Sequence, residues 1–404
     1  MKTTIEKNGE VATVHSADAT CCVHAGEDRH GRAASLTTDI AQTSVFVIPT
    51  VDEMRRINQG DSAAFMYTRY ANPTIQAAEQ KIAALEGAAG CIVTSSGQSA
   101  TLCALLALCQ AGDEIVSMLD IYGGSLGLLE KVFARFGVTT KFIPFHELSK
   151  IEEYFTSRTR VLFLETPTNP TLRCIDLEAL VEVAKKHGAS IVVDNTFATP
   201  ILQKPLAMGA DVSLHSATKY LGGHSDVTAG AVACSNIDLT AKVREMMRVS
   251  GSSLDPGASY LLIRGLKTLE LRVERACKNA MQIAHRLAQN PKISRVMYPG
   301  LPGHPGHELA RRQMRDFGMM MSIELRGGGQ AAERFINGLK LWYLATSLGG
   351  VESTVSYPVL ASHVNVPQDK LRLMDVSPAI VRLSVGIEDS SDLIADLEQS
   401  LQNC

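Results

Sequence analysis

The chain holds no pair of cysteines at C-x-x-C spacing and no Cys/His pattern of the kind that ligates zinc, although it has nine cysteines in 404 residues. Their odd number, and their scatter through apolar segments (Cys103, Cys109, Cys277) or side by side (Cys21, Cys22), argue against a disulfide framework and leave reduced thiols, mostly in the core. Charge of neither sign prevails: 39 Lys and Arg face 42 Asp and Glu, for a formal net charge of −3. That balance gives no electrostatic case for nucleic acid or an anionic membrane surface and directs attention to a small-molecule partner. No apolar run approaches the roughly 18 residues of a membrane span, and residues 1–10 carry no apolar h-region, so a cytoplasmic location is expected. Low-complexity tracts and internal repeats are also missing. His304, His307 and Glu308 are set among Pro302, Gly303, Pro305 and Gly306, a turn rather than one helical face, so no metal is expected.

What is present is ordinary for a globular enzyme: 45% apolar and 20% charged residues, in a length sufficient for two domains. Residues 1–65 lack a sustained period and read as an extended arm that wraps a partner subunit. From Asn72 a helix is predicted, with Pro73 at its first position, apolar residues at Ile75, Ala78, Ile82 and Leu85, and Gly87 as its stop. Strands are then expected near 91–94, 114–118, 138–144, 160–165, 190–194 and 211–215, alternating with helices near 98–110, 124–136 and 176–187. This rhythm implies βαβ units on a mainly parallel sheet. A long helical pattern at 256–290 leads to strands near 293–298, 318–325 and 380–385 and helices near 330–338 and 390–402, a smaller α+β domain.

Lys219 stands in Ser216-Ala217-Thr218-Lys219-Tyr220-Leu221-Gly222-Gly223, bracketed by hydroxyls and glycines instead of other charges. The apolar run before it delivers the lysine at a strand's carboxyl end, where α/β folds place ligands. An amine for an aldehyde, with hydroxyl donors for a phosphate beside it, suits pyridoxal phosphate. Asp194 ends the strand Ser190-Ile191-Val192-Val193 as either a turn cap or a functional anion; beside Lys219 it gains a role, holding a pyridine nitrogen protonated. The turn Thr94-Ser95-Ser96-Gly97-Gln98-Ser99-Ala100 is either a plain strand-to-helix link or a phosphate cradle at a helix start. Tyr122 is either a packing residue or a ring stacked on a cofactor. Arg382, inside an apolar strand, either faces solvent at an edge or pairs a substrate carboxylate through its planar guanidinium. Gly327, Gly329 and Ala332 fit G-x-G-x-x-A, but too little chain follows for a dinucleotide domain.

Together these residues resemble the Cys/Met-metabolism family of pyridoxal-phosphate enzymes, which includes cystathionine γ-synthase, cystathionine γ-lyase, methionine γ-lyase and O-acetylhomoserine sulfhydrylase. The likeness runs from about residue 22 to the C-terminus. It is carried by Tyr67-Thr68-Arg69-Tyr70-Ala71-Asn72-Pro73-Thr74, Glu165-Thr166-Pro167-Thr168-Asn169-Pro170, Val193-Asp194-Asn195-Thr196, Ser216-Ala217-Thr218-Lys219-Tyr220 and Val381-Arg382-Leu383-Ser384-Val385-Gly386. The resemblance implies the fold-type I transferase architecture, an α/β fold with a mainly parallel sheet in a large domain and a smaller C-terminal α+β domain. The expected divisions are an arm at 1–65, a cofactor-binding domain at 66–260 and a C-terminal domain at 261–404. It further implies a homotetramer of dimers with shared active sites.

Within that resemblance Lys219 would form the Schiff base and shuttle protons, and Asp194 would pair with the pyridinium. Gly97, Gln98, Ser216 and Thr218 would hold the phosphate, with Tyr67 and Arg69 reaching it from the neighbouring subunit. Tyr122 would stack on the ring and act as an acid–base group, Asn169 would lie beside the phenolic oxygen, and Ser347 and Arg382 would hold the substrate carboxylate. Two outcomes belong to such enzymes, γ-elimination and γ-replacement by a thiol. Three departures bear on the choice. Cystathionine enzymes carry a glutamate where this chain has Thr346, and an arginine five residues after the tyrosine, where it has Gly127. Methionine γ-lyases carry a cysteine where it has Gly124. The reading is therefore a γ-lyase acting on methionine, homocysteine, an O-substituted homoserine or a canavanine-like amino acid, with O-acetylhomoserine sulfhydrylase, cystathionine γ-synthase and cystathionine γ-lyase as alternatives.

Overall fold

The computed structural model describes the backbone at residues 2–7, 10–15, 17–27, 35–60 and 63–404, and side chains from residue 17 onward within those ranges. Its centre is a seven-stranded sheet of β1 (Gly90–Thr94), β2 (Glu114–Met118), β3 (Thr139–Ile143), β4 (Thr159–Glu165), β5 (Ser190–Asp194), β6 (Val212–His215) and β7 (Gly230–Cys234). The strands lie in the order β1-β7-β6-β5-β4-β2-β3. Pairings among β3, β2, β4, β5 and β6 are parallel, and β7 runs antiparallel to both its neighbours, β1 and β6. Residues such as Ile92, Val116, Leu162, Val192 and Val232 are fully buried, as a sheet covered on both faces requires.

The longer helices, with the N-terminal one, are α1 (Asp18–His24), α2 (Val51–Gln59), α3 (Pro73–Glu86), α4 (Gly97–Leu108), α5 (Leu177–Lys186), α6 (Ile237–Ser250), α7 (Pro256–Leu266), α8 (Leu269–Leu287), α9 (Gly328–Gly338) and α10 (Ser390–Gln402); shorter ones lie at Gly123–Gly127, Thr199–Leu202, His307–Gln313 and Gln368–Leu373. Local chemistry sets several of their starts. The side chains of Asn72, Ser96, Asp176, Asn236 and Asp255 each accept a backbone N–H of the first turn, an interaction worth about 1 kcal/mol per helix. Gly87, in the left-handed region at φ 69°, ends α3 where the sequence placed its stop.

A second sheet holds β8 (Ile293–Met297), β9 (Met320–Leu325), β10 (Tyr343–Leu344), β11 (Thr354–Ser356) and β12 (Ile380–Ser384) in the order β8-β9-β12-β11-β10. Its register sets Ser322 and Ser356 on either side of Arg382. Ser322 Oγ donates to the carbonyl of Pro170 at 2.7 Å, tying this sheet to a loop of the first.

Four expectations need correction. The segment expected to be an unpatterned arm contains α1, α2 and a hairpin of Lys2–Lys7 with Glu10–His15. The helix expected at 124–136 is one α turn, Gly123–Gly127, followed by a π turn and a 3₁₀ turn, because Gly123, Gly124 and Gly127 add little helix propensity. The single helix expected at 256–290 breaks at Thr268, whose hydroxyl bonds back to Gly265. Past that break, buried Arg272 donates to the carbonyls of Gly265 at 2.7 Å and Tyr220 at 2.8 Å, bracing the turn that carries Lys219. Strand β7 was not anticipated, since Gly230-Ala231-Val232-Ala233-Cys234 has weak strand propensity. Small residues are needed there: a Cβ on Gly230 would stand 2.1 Å from the carbonyl oxygen of Ser96.

Candidate active site

The carboxyl ends of β4, β5 and β6 open into one cavity of ≈ 370 Å³, closed by Ser356 and Arg382 of the second sheet and by Thr346 and Ser347 of the loop after its edge strand β10. A ligand site at the strand ends of an open α/β sheet is what such topology favours. The parallel register pairs Glu165 with Asp194, and Asp194 with Leu214, so acidic groups from adjacent strands meet at the cavity floor.

Lys219 Nζ donates to Ser347 Oγ at 2.5 Å. Burial, reinforced by the nearby Arg382 guanidinium, lowers the lysine from its ordinary 10.5 to about 8. Ser347 occupies the left-handed region at φ 77°, uncommon for a residue with a side chain, and is held there by its contacts. Its hydroxyl meets Lys219, and its carbonyl accepts from Arg382 Nη2 at 2.9 Å. Arg382 is buried; its Nη1 donates to Asn169 Oδ1 at 2.8 Å, while Nε has no partner among the described residues. Burial brings this guanidinium down to about 10, the nearby Tyr220, Glu165 and Tyr122 opposing the change.

Burial raises the Asp194 carboxyl above its ordinary value, against two stabilising contacts from Thr196 and the attraction of His215. The Thr196 amide donates to Asp194 Oδ1 at 3.0 Å, and Thr196 Oγ1 in turn accepts the Ser216 amide at 2.8 Å. Glu165 is pushed well up, by burial first and then by the neighbouring Asp194. One of its oxygens accepts the Tyr122 amide at 2.7 Å, which anchors the loop that carries that ring.

An anion cradle lies where α4 begins. Ser96 caps the helix by accepting the Ser99 amide, and the amides of Gly97 and Gln98 occupy first-turn positions that have no intrahelical acceptor. Ser216 closes over them; a Cβ on Gly97 would stand 2.8 Å from its Cβ, so only glycine admits this approach. Thr218 also lines the cavity, but its hydroxyl donates to the Ala229 carbonyl at 3.1 Å and accepts the Ala229 amide at 3.0 Å.

Lys219, Asp194, Tyr122, Gly97, Gln98, Asn169, Ser216, Thr218, Thr346, Ser347 and Arg382 thus line a single cavity. Tyr67 and Arg69 do not. Arg69 packs against the rings of Tyr67 and Tyr70, 5.4 and 4.8 Å from their centroids, and donates to the Arg248 carbonyl at 2.7 Å. Sequence reasoning missed Glu165, Thr196 and His215 as cavity residues. Glu165 was legible in principle, ending an apolar strand just as Asp194 does. No metal-binding cluster of His, Cys, Asp or Glu occurs among the described residues.

A half-buried amine of depressed basicity, an acid at the end of the adjacent strand and a phosphate cradle at a helix start define a pyridoxal-phosphate enzyme of the large-domain, small-domain α/β type. A family model described as Cys/Met metabolism PLP-dependent enzyme matches residues 19–402, and the chain belongs to that family. An L-methionine gamma-lyase of Fusobacterium nucleatum subsp. polymorphum is 42% identical over 386 residues, 95% of this chain and 97% of the relative. A cystathionine gamma-synthase of Mycobacterium tuberculosis is also 42% identical over 386 residues, 96% of this chain and 97% of the relative. Among solved structures, cystathionine gamma synthase from Xanthomonas oryzae pv. oryzae, in complex with aminoacrylate and cysteine, superposes with a TM-score of 0.91 at 38% identity, covering 96% of this chain and 99% of that one. The cofactor is pyridoxal phosphate, and γ-elimination and γ-replacement are the chemistries of the family.

Proposed function

We propose that the enzyme is a γ-lyase: it expels the γ-substituent of an L-homoalanine-type amino acid and releases an oxoacid and ammonia. The observation that carries this reading is the charge inventory of the cavity. Its titratable side chains of charge-bearing type are Glu165, Asp194, His215, Lys219 and Arg382, residues that belong to the cofactor and carboxylate end. Among the described residues no further acidic or basic side chain lines the cavity to hold the distal amino-acid head of cystathionine or the carboxylate of a succinyl ester. Thr346, Ser356, Ala361 and Ser362 complete the wall as small, uncharged residues. Gly127 has no atom within 4 Å of the place a Cβ would occupy, so it offers no handle there either. Substrates with a compact γ-substituent fit: methionine, homocysteine, an O-substituted homoserine or a canavanine-like amino acid.

Bound pyridoxal phosphate supplies an electron sink for charge developing at the substrate α-carbon. Asp194 would hold the pyridine nitrogen, and Gly97, Gln98, Ser216 and Thr218 would hold the phosphate. Asn169 would also hold the cofactor, and Tyr67 and Arg69 would hold its phosphate from a second subunit of a homotetramer. Arg382 takes the substrate carboxylate, its unpartnered Nε adding to the donors available. Lys219, lowered to about 8, has an appreciable neutral fraction near pH 7 and removes the α-proton; in a second step it carries a β-proton. Tyr122 protonates the departing γ-group.

The second reading is γ-replacement by a thiol, as in O-acetylhomoserine sulfhydrylase or cystathionine γ-synthase, and the synthase relative at 42% identity favours it. Purified holoenzyme incubated with a panel of γ-substituted amino acids, with and without added sulfide or cysteine, separates the two. Oxoacid and ammonia from a single amino acid support the lyase; product formed only with thiol present supports replacement and overturns it.

A further inference from the structure

A second cavity, of ≈ 380 Å³, adjoins the first and shares Thr346, Ser356 and Ala361 with its wall. The rest of its lining comes from α9, the edge strand β10 and the segment after β11. Ile336, Leu344, Ala345, Tyr357 and Leu360 give it apolar surface, and Glu333 and Asn337, both exposed on α9, are the polar residues among them. The chemistry above uses none of these seven side chains. Leu344 and Leu360 are 61% and 70% exposed, which leaves an apolar pair in water beside a ligand site.

Ser356 belongs to both walls and carries an unmet hydrogen-bonding group. It is 3% exposed, and its Oγ has no partner among the described residues. Buried hydroxyls are ordinarily paired, so one left single on a cavity wall marks a place that a ligand atom completes. β11 runs antiparallel to β12 with Ser356 opposite Arg382, and opposed residues project from the same face of a sheet. The hydroxyl therefore stands on the same side as the guanidinium assigned to the substrate carboxylate, in the stretch of wall that the two cavities have in common.

We propose that the second cavity is a subsite for the tail of an extended, uncharged γ-substituent, and that Ser356 donates to an acceptor atom of that substituent where it passes from one cavity to the other. The chemical class is a homoserine ester of an aliphatic acid: its carbonyl oxygen accepts the Ser356 hydroxyl, and its chain lies against Leu344, Tyr357 and Leu360. An aliphatic tail suits the lining better than a cationic one, because the single acid, Glu333, is exposed to water, where an ion pair is weak. The inference deepens the γ-lyase reading and rests on it. Elimination breaks the Cγ–O bond, the acid leaves as its carboxylate, and water supplies the oxygen of the oxoacid as ammonia departs.

The test follows release of leaving group and oxoacid by holoenzyme from O-acetyl-L-homoserine, O-hexanoyl-L-homoserine and methionine, with and without added cysteine. The longer chain is expected to raise kcat/KM about tenfold over the acetyl ester, part of what full burial of such a chain gives. Leu344→Asp and Leu360→Asp, at exposed positions, bring that ratio close to one. Ser356→Ala lowers kcat/KM for both esters about fivefold relative to methionine, whose thioether sulfur is a weak acceptor. A hexanoyl ester no better than the acetyl ester, a preference that survives both aspartate variants, no release from either ester by an enzyme that turns over methionine, or equal Ser356→Ala losses for esters and methionine each overturn the proposal. If the preference survives while Leu344→Asp splits the assembly on size exclusion, the apolar pair is instead a contact between copies of the chain. Leaving group released only with cysteine present removes the lyase reading alone, since the ratio of carboxylate release still decides the subsite.

Discussion

The rate at which apoenzyme captures pyridoxal phosphate measures the electrostatics of Lys219 directly, because only the neutral amine attacks the aldehyde. The gap between the ordinary lysine value of 10.5 and about 8 corresponds to roughly 300-fold more neutral amine at any pH below the inflection. Near pH 7 about one-tenth of Lys219 is then unprotonated, against about one part in 3,000 for an ordinary lysine. The sign is fixed by the direction of the change: a lowered value means the neutral form grows with rising pH and saturates early. Stopped-flow absorbance on mixing apoenzyme with cofactor, between about pH 6 and 10, gives the profile. The capture rate is expected to rise about tenfold per pH unit below the inflection and to level off above about pH 8. Arg382→Gln moves the inflection upward, by less than half of the full displacement, because burial is the larger cause and the guanidinium the smaller. A capture rate that climbs without bending to beyond pH 9.5 would refute the assignment of Lys219 as a half-buried, electrostatically depressed amine.

Replacing the lysine itself, Lys219→Ala, abolishes turnover, and borohydride reduction of the loaded wild-type enzyme followed by peptide mapping marks position 219 alone. If Tyr67 and Arg69 serve a neighbouring subunit, mixing inactive Lys219→Ala with weakened Arg69→Ala regenerates about a quarter of wild-type turnover, since half of randomly paired dimers gain one intact site; activity that never exceeds the sum of the separate variants refutes shared sites. Thr346→Glu shifts the ratio of kcat/KM values toward cystathionine by about tenfold, the scale of one charge-assisted hydrogen bond, and an unchanged ratio removes Thr346 from the account of specificity. Gly124→Cys lowers kcat, because a Cβ there would stand 2.2 Å from Gln98 Nε2 and 2.4 Å from the Tyr122 ring, displacing the acid; unchanged kcat shows that the ring has room to move.

Much of this architecture was legible in the chain. Strands at β1 to β6 follow from apolar runs bounded by turn residues, and α3 from Asn72, Pro73 and Gly87, because each of these signals acts over a few residues. Lys219, Asp194 and Arg382 announced themselves as charges at the ends or in the middle of apolar strands, where a charge without a function is costly. What failed did so for a reason outside the local segment. Strand β7 is built of glycine and alanine because it squeezes between β1 and β6 beside the Ser96 turn. The break at Thr268 accompanies a contact the local pattern does not show: Arg272 reaches the carbonyl of Tyr220, 52 residues earlier.

The sequence by itself determined which residues carry chemistry and in what kind of frame, since periodicity, caps and the placing of charges within apolar runs are local properties of the chain. Only the tertiary structure decided which of those residues share a cavity. Register across β4, β5 and β6 brings Glu165, Asp194 and His215 together, and the second sheet delivers Arg382 and Ser347 to Lys219 across 163 and 128 positions of chain. Desolvation and mutual charge act through space, so the lowered basicity of Lys219 and the raised carboxyls of Glu165 and Asp194 come into being only when those distant segments are packed against one another.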